Sequence, residues 1–412
     1  MPRRERRTGI SESLYIDSLP ALEAFGPRLK AALERDPRIA LDTEFIRERT
    51  YAPVLEIVQV AVEEGNLIAL LDVTALKGEL GPLRDILLDP GVLKVLHAAT
   101  QDVEILTGLL GQTPAPIYDT QVAAAFAGYS LQTGYGALVQ SVLNVRLSKD
   151  EGFADWSRRP LTQAMQDYAE NDVRYLHALH DRLSRVLQKR GRVAWAEEQT
   201  RRLLASATEE VAPDDLWRKV GGRSGLDGRQ LAVLRELAKW RDEEAQRRDK
   251  PRRTVVKDEV LVEVARRGHT DPQAILSLRS APPNLGERAA GAMGEAVKSG
   301  QATPRDEWPR IDHSAPLDEQ GAILVELLSA AVRLRALEED LPPSLLASGD
   351  DLRTLAITRA KPDESGPLFT GWRGEIIGSI LHDILAGRTA IVYNPAKRRV
   401  RLEGRETDTA AR

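Results

Sequence analysis

The chain has 412 residues, of which 42% are hydrophobic and 29% are charged, and its formal net charge is −4. These proportions are those of a soluble globular protein and exclude a disordered or fibrous class. The absence of cysteine excludes disulfides, zinc–thiolate sites and cysteine nucleophiles. No apolar run reaches the roughly 18 residues of a membrane span, so we expect a cytoplasmic protein without a membrane segment. The length predicts two or three domains.

Residues up to about 190 alternate between β-rich and helical segments. The strand candidates, rich in Val, Ile and Leu, are 38–45, 53–62, 66–71, 92–97 and 116–118. The helix candidates are 78–88, 101–110, 119–127, 135–143 and 162–189. This alternation predicts a mixed sheet flanked by helices. Gly65-Asn66 follows the second strand candidate and predicts a hairpin, so the sheet begins antiparallel.

The rest of the chain is predicted to be helical between linkers. A stretch at 206–228 is rich in Asp, Gly, Ser and Pro, lacks apolar periodicity and marks a boundary. The helices predicted after it are Arg229–Gln246, Lys257–Arg267, Pro272–Leu278 and Leu285–Lys298. A second linker at 300–316 precedes a helical segment from Glu319 to about Leu385. The two helical segments have a similar order, which indicates a degenerate repeat.

The end of the chain predicts a short hairpin and a tail. Thr389–Tyr393 and Val400–Leu402 are β-rich and flank a turn at Asn394-Pro395. Residues 404–412 are polar and predict a tail. Neither this hairpin nor Gly371-Trp372-Arg373 is explained by the sequence.

Two acidic residues share one face of the first strand candidate. Side chains alternate along a strand, so Asp42 and Glu44 point to one face, about 7 Å apart along the chain. Ile39, Leu41 and Phe45 point to the other face and can pack. Unpaired carboxylates in a half-buried strand are costly, and a divalent cation offsets the cost because hard cations bind carboxylate oxygens. The alternative is an exposed edge strand with solvated acids.

A third acid follows a later strand. That strand ends near His97, and Asp102 lies in the first turn of the next predicted helix. An Asp there stabilises the helix dipole by about 0.3–1 kcal/mol without any ligand. Strand-to-helix junctions also direct side chains toward the carboxyl edge of a sheet, which is compatible with metal binding. We expect His97 to be a hydrogen-bonded, partly buried side chain, and His177 and His180 to be structural or exposed, because no third nitrogen ligand accompanies them.

A fourth acid interrupts an apolar helix face. That face carries Met165, Tyr168, Ala169, Val173, Leu176 and Leu179. Asp172 falls on the same stripe, one turn after Tyr168, and the nearby Arg174 points elsewhere. Four carboxylates beside a phenol suit two divalent ions about 3.5–4 Å apart, which catalyse displacement at phosphodiesters. Ligands that are all oxygen favour Mg²⁺ or Mn²⁺.

Three segments carry these acids at a distinctive spacing: Leu41–Phe45, His97–Asp102 and Tyr168–Asp172. They resemble the three motifs of the DEDD superfamily of 3′–5′ exonucleases, and the tyrosine is typical of its DEDDy branch. Within that branch the chain resembles the ribonuclease D family, whose signatures are also similar to Tyr118–Gln121, Ala124–Phe126 and Asp155–Leu161. The resemblance spans about residues 12–205 and implies an α/β exonuclease domain with a ribonuclease H-like mixed sheet flanked by helices.

The resemblance also implies roles for individual residues. The expected ligands of two divalent ions, Mg²⁺ or Mn²⁺, are Asp42, Glu44, Asp102 and Asp172. Tyr168 is expected to orient or deprotonate the attacking water. Gln101 stands where an acid is common in the family, and we expect little consequence because this neighbour of Asp102 is not a ligand.

Two regions are candidates for contact with RNA. Trp156 and Arg159 lie in a loop expected to approach the acids, although a tryptophan that anchors the loop is an equal alternative. The second region is a basic cluster between two predicted helices, which we interpret as a phosphate-contacting patch rather than a solvated charge run. Its basic residues are Arg247, Arg248, Lys250, Arg252 and Arg253.

The helical part resembles a second known module. Trp240–Asp242, Arg248–Arg252 and Val256–Val260 resemble the HRDC domain over about residues 224–302. The final segment resembles a diverged second HRDC-like module. We therefore expect an exonuclease domain over 1–212, followed by two all-α domains, an HRDC domain over 213–303 and a second HRDC-like domain over 304–412.

The resemblance implies a metal-dependent hydrolase that releases nucleoside 5′-monophosphates from RNA 3′ ends. Precursors of tRNA with 3′ extensions are the expected substrates, and a monomer is expected because no heptad pattern or interface strip is evident. One alternative is a DNA-directed 3′–5′ exonuclease, since the acidic motifs do not report contacts to the 2′-OH. The other is a catalytically inactive RNA-binding adaptor, against which the complete carboxylate set argues.

Overall fold

The computed structural model describes residues 12–147, 154–310, 317–358 and 366–405. Most of the predicted polar tail, 406–412, and part of the second predicted linker, 311–316, lie outside these residues. Within the described ranges, none of the helices combines the length and the apolar character needed to cross a membrane.

Six strands form the sheet of the N-terminal domain. They are β1 (Glu12–Ile16), β2 (Arg38–Ile46), β3 (Val54–Val62), β4 (Leu67–Asp72), β5 (Leu93–Leu96) and β6 (Ile117–Asp119). Their order is β1-β4-β3-β2-β5-β6, with β2–β3 and β3–β4 antiparallel and the other pairs parallel. The predicted mixed sheet and its antiparallel start are confirmed. The sequence did not predict β1, of which only Ile16 is fully buried.

Helices cover both faces of this sheet. They are α1 (Leu19–Arg35), α2 (Pro82–Leu88), α3 (Thr100–Leu110), α4 (Thr120–Phe126), α5 (Tyr135–Leu143), α6 (Gln163–Arg174), α7 (Leu176–Arg190) and α8 (Val193–Thr208). On one face α1, α2 and α3 pack against Ile39 and Leu41 of β2. On the other face α6 packs against Ala40 of β2 and Ile57 of β3. Successive β2 residues therefore enter opposite cores, as the alternation of a strand requires.

The single helix predicted over 162–189 is instead two helices, α6 and α7. They meet at Tyr175, whose φ of −105° and ψ of 0° depart from helical geometry. The Tyr175 N–H donates to the hydroxyl of Tyr135, 3.3 Å away, on α5. This break ends α6 just after Asp172, so it helps to set where that carboxylate lies.

The HRDC-like region follows two 3₁₀ turns at Pro213–Lys219 and Arg223–Gly225. Its helices are α9 (Gly228–Arg248), α10 (Arg252–Val255), α11 (Asp258–Arg267), α12 (Pro272–Leu276) and α13 (Glu287–Ala302). A capping box between Asp227 and Gln230 starts α9 by satisfying two backbone N–H groups. The predicted helices are confirmed, and they enclose their own core around Trp217 and Met293.

The C-terminal region contains further helices and a hairpin. The helices are α14 (Glu319–Glu339), α15 (Pro343–Leu346), α16 (Gly349–Thr358), α17 (Gly371–Arg373) and α18 (Ser379–Leu385), and a π turn at Gly374–Gly378 joins the last two. The predicted terminal hairpin is confirmed and consists of β7 (Thr389–Asn394) and β8 (Arg399–Gly404), which pair antiparallel.

The two helical regions begin with the same pattern. The lengths of α9, α10 and α11 are 21, 4 and 10 residues, and α14, α15 and α16 have the same lengths. Each long helix ends at an aspartate in the left-handed region, Asp249 with φ of 48° and Asp340 with φ of 52°. This agreement supports the degenerate repeat.

Gly371-Trp372-Arg373, unexplained by the sequence, attaches the C-terminal region to the N-terminal domain. Trp372 is 2% exposed and stacks on Trp195 of α8, with ring centroids 5.7 Å apart. Arg373 donates to the side chain of Gln199, also on α8, at 2.9 Å. Gly371 has φ of +55°, which favours glycine, and a Cβ there would meet the carboxylate of Glu198. These contacts place α17 directly on α8.

Candidate active site

Strand β2 presents Asp42 and Glu44 to the face of the sheet that α6 covers. Ala40, on the same face, is fully buried in the core beneath α6. Ile39 and Leu41 are buried in the opposite core, and Phe45 packs against it. The alternation expected from the sequence is therefore confirmed. The pairing with β3 changes register between Glu44 and Phe45, so the strand is irregular immediately after the acids.

Helix α6 brings the carboxylate of Asp172 to this pair. The helix is fixed by Met165, Ala169 and Val173, which are buried against the sheet. One carboxylate oxygen from each of Asp42, Glu44 and Asp172 lies within 4.8 Å of the other two. Three of the four predicted ligands thus form one cluster.

Asp102 reaches the same strand from its other side. It lies in the first turn of α3, is 7% exposed and accepts a hydrogen bond from the hydroxyl of Thr43. Thr43 alternates with Asp42 and Glu44, so α3 and α6 approach β2 from opposite faces. Asp102 is not within the 4.8 Å group, but its charge raises the pKa of both Asp42 and Glu44.

The four carboxylates share a strongly negative and largely buried environment. Burial, followed by the charges of Asp102 and Asp172, raises the pKa of Asp42 well above its usual range. The same two causes raise the pKa of Glu44 to about 9. Burial raises the pKa of Asp172 to about 7, and it raises the pKa of Asp102 to about 6. Without a cation this arrangement disfavours the ionised acids.

The donor set fits a divalent metal ion. The clustered groups are carboxylates, which hard cations such as Mg²⁺ and Mn²⁺ prefer. A bound cation would reverse the electrostatic cost, since positive charge favours ionised carboxylates. When bound, such ions polarise the phosphoryl group and activate water.

Tyr168 completes this cluster one turn before Asp172. Its hydroxyl is hydrogen-bonded to the Asp172 carboxylate, which lowers the pKa of that acid against the effect of burial. Burial and the charges of Asp172 and Glu44 raise the pKa of the phenol itself. The ring packs 6.1 Å, centroid to centroid, from that of Trp156. The phenol is therefore held in its protonated form beside the acids.

Comparison with known proteins identifies two modules. Residues 20–188 match the family model of a 3′–5′ exonuclease, and residues 230–297 match that of the HRDC domain. Ribonuclease D of Granulibacter bethesdensis is 38% identical over 355 residues, which cover 85% of this chain and 88% of the relative. Ribonuclease D of Gluconacetobacter diazotrophicus is 36% identical and covers 91% of this chain and 93% of its own length. The chain belongs to the ribonuclease D family.

A solved structure agrees with this assignment. The crystal structure of Escherichia coli RNase D, described as an exoribonuclease involved in structured RNA processing, has a TM-score of 0.78 and 30% sequence identity. It covers 91% of this chain and 99% of its own. The chain is accordingly a 3′–5′ exoribonuclease, and the DNA-directed alternative is not better supported. Exonucleases of this fold typically use divalent metal ions.

Several residues that were not predicted as site residues help to build this ribonuclease D site. Asp119 caps α4 and also accepts the backbone N–H groups of Ala98 and Ala99, at 3.0 and 2.9 Å. Ala98 has φ of 57°, so Asp119 holds the irregular turn that starts α3. Tyr135 donates to the backbone carbonyl of Asn171 at 2.8 Å and fixes the end of α6. The Tyr118–Gln121 segment marked Asp119, but its partner residues were not evident from spacing.

The three histidines weighed as possible ligands, His97, His177 and His180, make intramolecular contacts. His97 shares a hydrogen bond of 2.9 Å with Thr120 and contacts the ring of Tyr135 edge-on at 5.6 Å. His177 contacts the backbone carbonyl of Arg38 at 3.2 Å, and His180 contacts the side chain of Arg38 at 2.9 Å. Burial lowers the pKa of each of the three imidazoles. These contacts agree with the expected structural roles.

Trp156 and Arg159 face inward in the loop that precedes α6. Trp156 is 3% exposed and belongs to the core beneath α6. Arg159 pairs with Asp72 at the end of β4, with a hydrogen bond of 2.9 Å, and with Glu56 at 3.3 Å. Both side chains therefore anchor the loop.

The basic cluster of residues 247–253 partly contacts the exonuclease domain. Arg252 donates to the hydroxyl of Tyr51 at 2.7 Å and lies over its ring, 4.7 Å from the centroid. Lys250 donates to the backbone carbonyl of Arg49 at 3.3 Å. Tyr51 and Arg49 belong to the loop between β2 and β3, which follows the strand that carries Asp42 and Glu44. Arg247 pairs with Glu244 at 2.5 Å.

The two remaining arginines of this cluster are more open. Arg248 is exposed at the end of α9. The side chain of Arg253 is 71% exposed and is 4.0 Å from Asp258, at the limit of an ion pair. The cluster therefore divides into residues that hold the domains together and residues that face solvent.

Proposed function

We propose that Asp42, Glu44, Asp102 and Asp172 hold two divalent ions, Mg²⁺ or Mn²⁺, at which RNA is hydrolysed from its 3′ end. The products are nucleoside 5′-monophosphates. The observation that carries this proposal is the approach of three carboxylates within 4.8 Å, with pKa values raised by burial and by one another. Such a cluster is stable in its ionised form only when cations are bound.

The chain's own residues position these carboxylates. The Thr43 hydroxyl donates to Asp102 and fixes it beside β2. The Tyr168 hydroxyl donates to Asp172, and this position beside the carboxylates supports a role in orienting or deprotonating the attacking water. Tyr135 fixes the end of α6 that follows Asp172, and the Trp156 ring packs against the ring of Tyr168.

The proposed substrates are tRNA precursors with 3′ extensions. The likeness to Escherichia coli RNase D, which is involved in structured RNA processing, supports this class. We further propose that the protein acts as a monomer in the cytoplasm.

For RNA contact we propose the outward-facing part of the basic cluster. Arg247, Arg248 and Arg253 are exposed beside the HRDC core and can reach phosphates. Lys250 and Arg252 can contribute only in part, because they also bind the β2–β3 loop. The inward contacts of Trp156 and Arg159 support positioning of the active-site loop more than direct contact with RNA.

The division at 1–212, 213–303 and 304–412 is also a proposal. Separate cores around β2 and around Trp217 support the first boundary. The matching helix lengths support a second HRDC-like domain, although its core is continuous with that of α4, α5, α7 and α8.

The first prediction tests the metal site. Asp172→Asn is expected to lower the rate of Mg²⁺-dependent digestion of a 3′-extended tRNA by at least about a hundredfold, because a carboxylate ligand is lost from the cluster. Product sizes resolved on a gel measure the rate and show whether mononucleotides are released. The matched control is Asp167→Asn, which removes an exposed acid from the same helix and should leave the rate unchanged.

Two outcomes would contradict the proposal. Near-normal digestion by Asp172→Asn would exclude the carboxylate cluster as the catalytic centre. Faster digestion of a DNA strand of matched sequence would exclude RNA as the preferred substrate.

A further inference from the structure

The β7–β8 hairpin concentrates positive charge in a chain that is acidic overall. Residues 388–405 contain six basic side chains and one acid, whereas the whole chain has a net charge of −4. The two ion pairs described for this segment involve Arg388 with Asp383, at 2.6 Å, and Arg401 with Glu403, at 3.2 Å. Four basic residues remain, three of them next to one another at the turn.

The base of the hairpin is packed and its tip is not. Ile391 and Leu402 are cross-strand partners and pack against the helices of the C-terminal region. Two residues nearer the turn on the same face, Tyr393 and Val400 are also partners, but they are 62% and 44% exposed. The hairpin thus projects beyond the helices that support its base.

The turn itself carries cations without acidic neighbours. Lys397, Arg398 and Arg399 are exposed, and none has an ion pair with an acid among the described residues. In the 247–253 cluster, by contrast, Arg247 and Arg252 are paired with Glu244 and Asp242. The hairpin tip is therefore the less neutralised of the two basic surfaces.

An exposed aromatic ring beside exposed cations matches the chemistry of single-stranded RNA. Aromatic side chains stack on unpaired bases, and Lys and Arg contact the phosphates between them. We propose that the hairpin tip, formed by Tyr393 and Lys397–Arg399, is a second RNA-binding surface that takes unpaired nucleotides. The inference rests on the proposed function, because it takes the substrate RNA as its ligand.

The choice of unpaired nucleotides follows from Tyr393. A ring can stack on a base only where the base face is open, as in a loop or a single-stranded tail. Phosphate contacts alone would not distinguish duplex from single strand. The surface lies on the C-terminal region, whereas the acids lie on the sheet of the exonuclease domain. It therefore fits a part of the RNA other than the nucleotide being removed.

The test measures binding by the full-length protein in EDTA, so that RNA is not hydrolysed. The probe is a fluorescent RNA stem-loop with an unpaired loop and a short 3′ tail, and its anisotropy gives Kd as a function of KCl concentration. The triple variant Lys397→Gln/Arg398→Gln/Arg399→Gln is expected to bind about tenfold more weakly at about 0.1 M salt, with a salt slope flatter by about 2. The matched control, Lys30→Gln/Arg185→Gln/Lys189→Gln, removes three exposed charges from the exonuclease domain and should bind within about twofold of the wild type.

A second variant separates stacking from charge. Tyr393→Ala is expected to weaken binding of the stem-loop by about fivefold or more, and Tyr393→Phe should restore it because the ring is kept. Tyr393→Ala and the wild type should have the same affinity for a blunt duplex without unpaired nucleotides. Thermal melting of each variant shows that the fold is intact.

Three results would overturn the inference. An equal loss of RNA affinity in the hairpin triple variant and in the control triple variant would show a general charge effect. Unchanged binding by Tyr393→Ala would remove the stacking contact. A dimer of the wild type that dissociates in Tyr393→Ala would assign the tip to a second copy of the chain.

Digestion of a four-nucleotide RNA should be unchanged in all hairpin variants. This assay therefore distinguishes failure of the hairpin proposal from failure of the active-site proposal.

Discussion

The two helical regions share the lengths of their first three helices but attach differently to the exonuclease domain. The HRDC region meets it through Tyr51 of the β2–β3 loop, whose hydroxyl donates to Asp242 and accepts from Gln246 and Arg252. The Tyr51 ring is only partly buried, and these bonds are close to solvent. This attachment is mainly polar.

The C-terminal region instead shares an apolar core with the exonuclease domain. Trp372 lies between Trp195 and Phe126, with centroid distances of 5.7 and 5.0 Å. Arg192 of the exonuclease domain adds hydrogen bonds to the backbone and side chain of Glu339, at 2.7 and 2.9 Å. This attachment is mainly apolar.

The difference indicates that similar helical modules can attach to a domain either loosely or firmly. A small, polar interface allows relative movement of domains, whereas a shared hydrophobic core fixes them. We therefore expect the HRDC region to move more freely than the C-terminal region, which is suited to hold α4 and α8 in place.

The largest effect expected from this comparison follows from Trp372→Ala. Removing a buried tryptophan leaves a cavity and should lower the free energy of unfolding by about 3–5 kcal/mol. Because the core is shared, hydrogen exchange should become faster in both the C-terminal helices and α8 of the exonuclease domain. Urea unfolding and exchange mass spectrometry measure the two effects.

Trp217→Ala provides the contrast within the HRDC core, where Trp217 is also 2% exposed. It should accelerate exchange in α9 and α11 and leave α8 unaffected. If Trp372→Ala left hydrogen exchange in α8 unchanged, the C-terminal region would be an independently folded unit. The two helical regions would then not differ in how firmly they attach to the exonuclease domain.

The sequence predicted those parts of the molecule whose signals are local. Asp42 and Glu44 are two residues apart, and Asp172 stands out on an apolar stripe, so strand and helix geometry alone place them. The hairpin of β3 and β4 was evident from its turn at Gly65-Asn66. The break at Tyr175 was not, because the apolar period continues through it and the contact with Tyr135 comes from another helix.

Roles that depend on distant partners could not be predicted. Trp372 contacts Trp195 and Phe126, which are far away in the chain, so the segment around it carried no local signal. Tyr51 precedes the strand predicted over 53–62 and was not singled out, yet it binds α9 about 190 residues later. Arg252 was counted as free for RNA, because neither its ion pair with Asp242 of α9 nor its contact with the remote Tyr51 is evident from the sequence.

A smaller effect is expected for Tyr51→Phe, which tests the polar attachment. The ring remains but three hydrogen bonds are lost, so the interface should weaken by about 1 kcal/mol while the melting temperature changes little. Limited proteolysis within 206–228 should become faster, since the HRDC region detaches more often. The control is Tyr129→Phe, which removes a hydroxyl from a half-buried tyrosine of the shared core.

An equal cleavage rate in wild type and Tyr51→Phe would show that other contacts hold the HRDC region. A large fall in melting temperature would show that this interface, too, is part of the folded core. Either result would remove the distinction between the two attachments.

The smallest effect is expected for Arg248→Gln/Arg253→Gln, which separates RNA contact from domain attachment. Two exposed cations are lost, so RNA binding should weaken by about threefold and the salt slope should flatten by about 1–2. The proteolysis rate at 206–228 should stay that of the wild type, because neither side chain contacts Tyr51. Filter binding across a KCl series and proteolysis of the same samples measure both properties.

Arg252→Gln is the matched comparison, since this arginine belongs to the same cluster but binds Tyr51. It should accelerate proteolysis and change the salt slope by less than the double variant does. A double variant that accelerated proteolysis while leaving RNA binding unchanged would reassign Arg248 and Arg253 to domain attachment. In that case the hairpin tip at 397–399 would be the remaining exposed basic surface proposed for RNA.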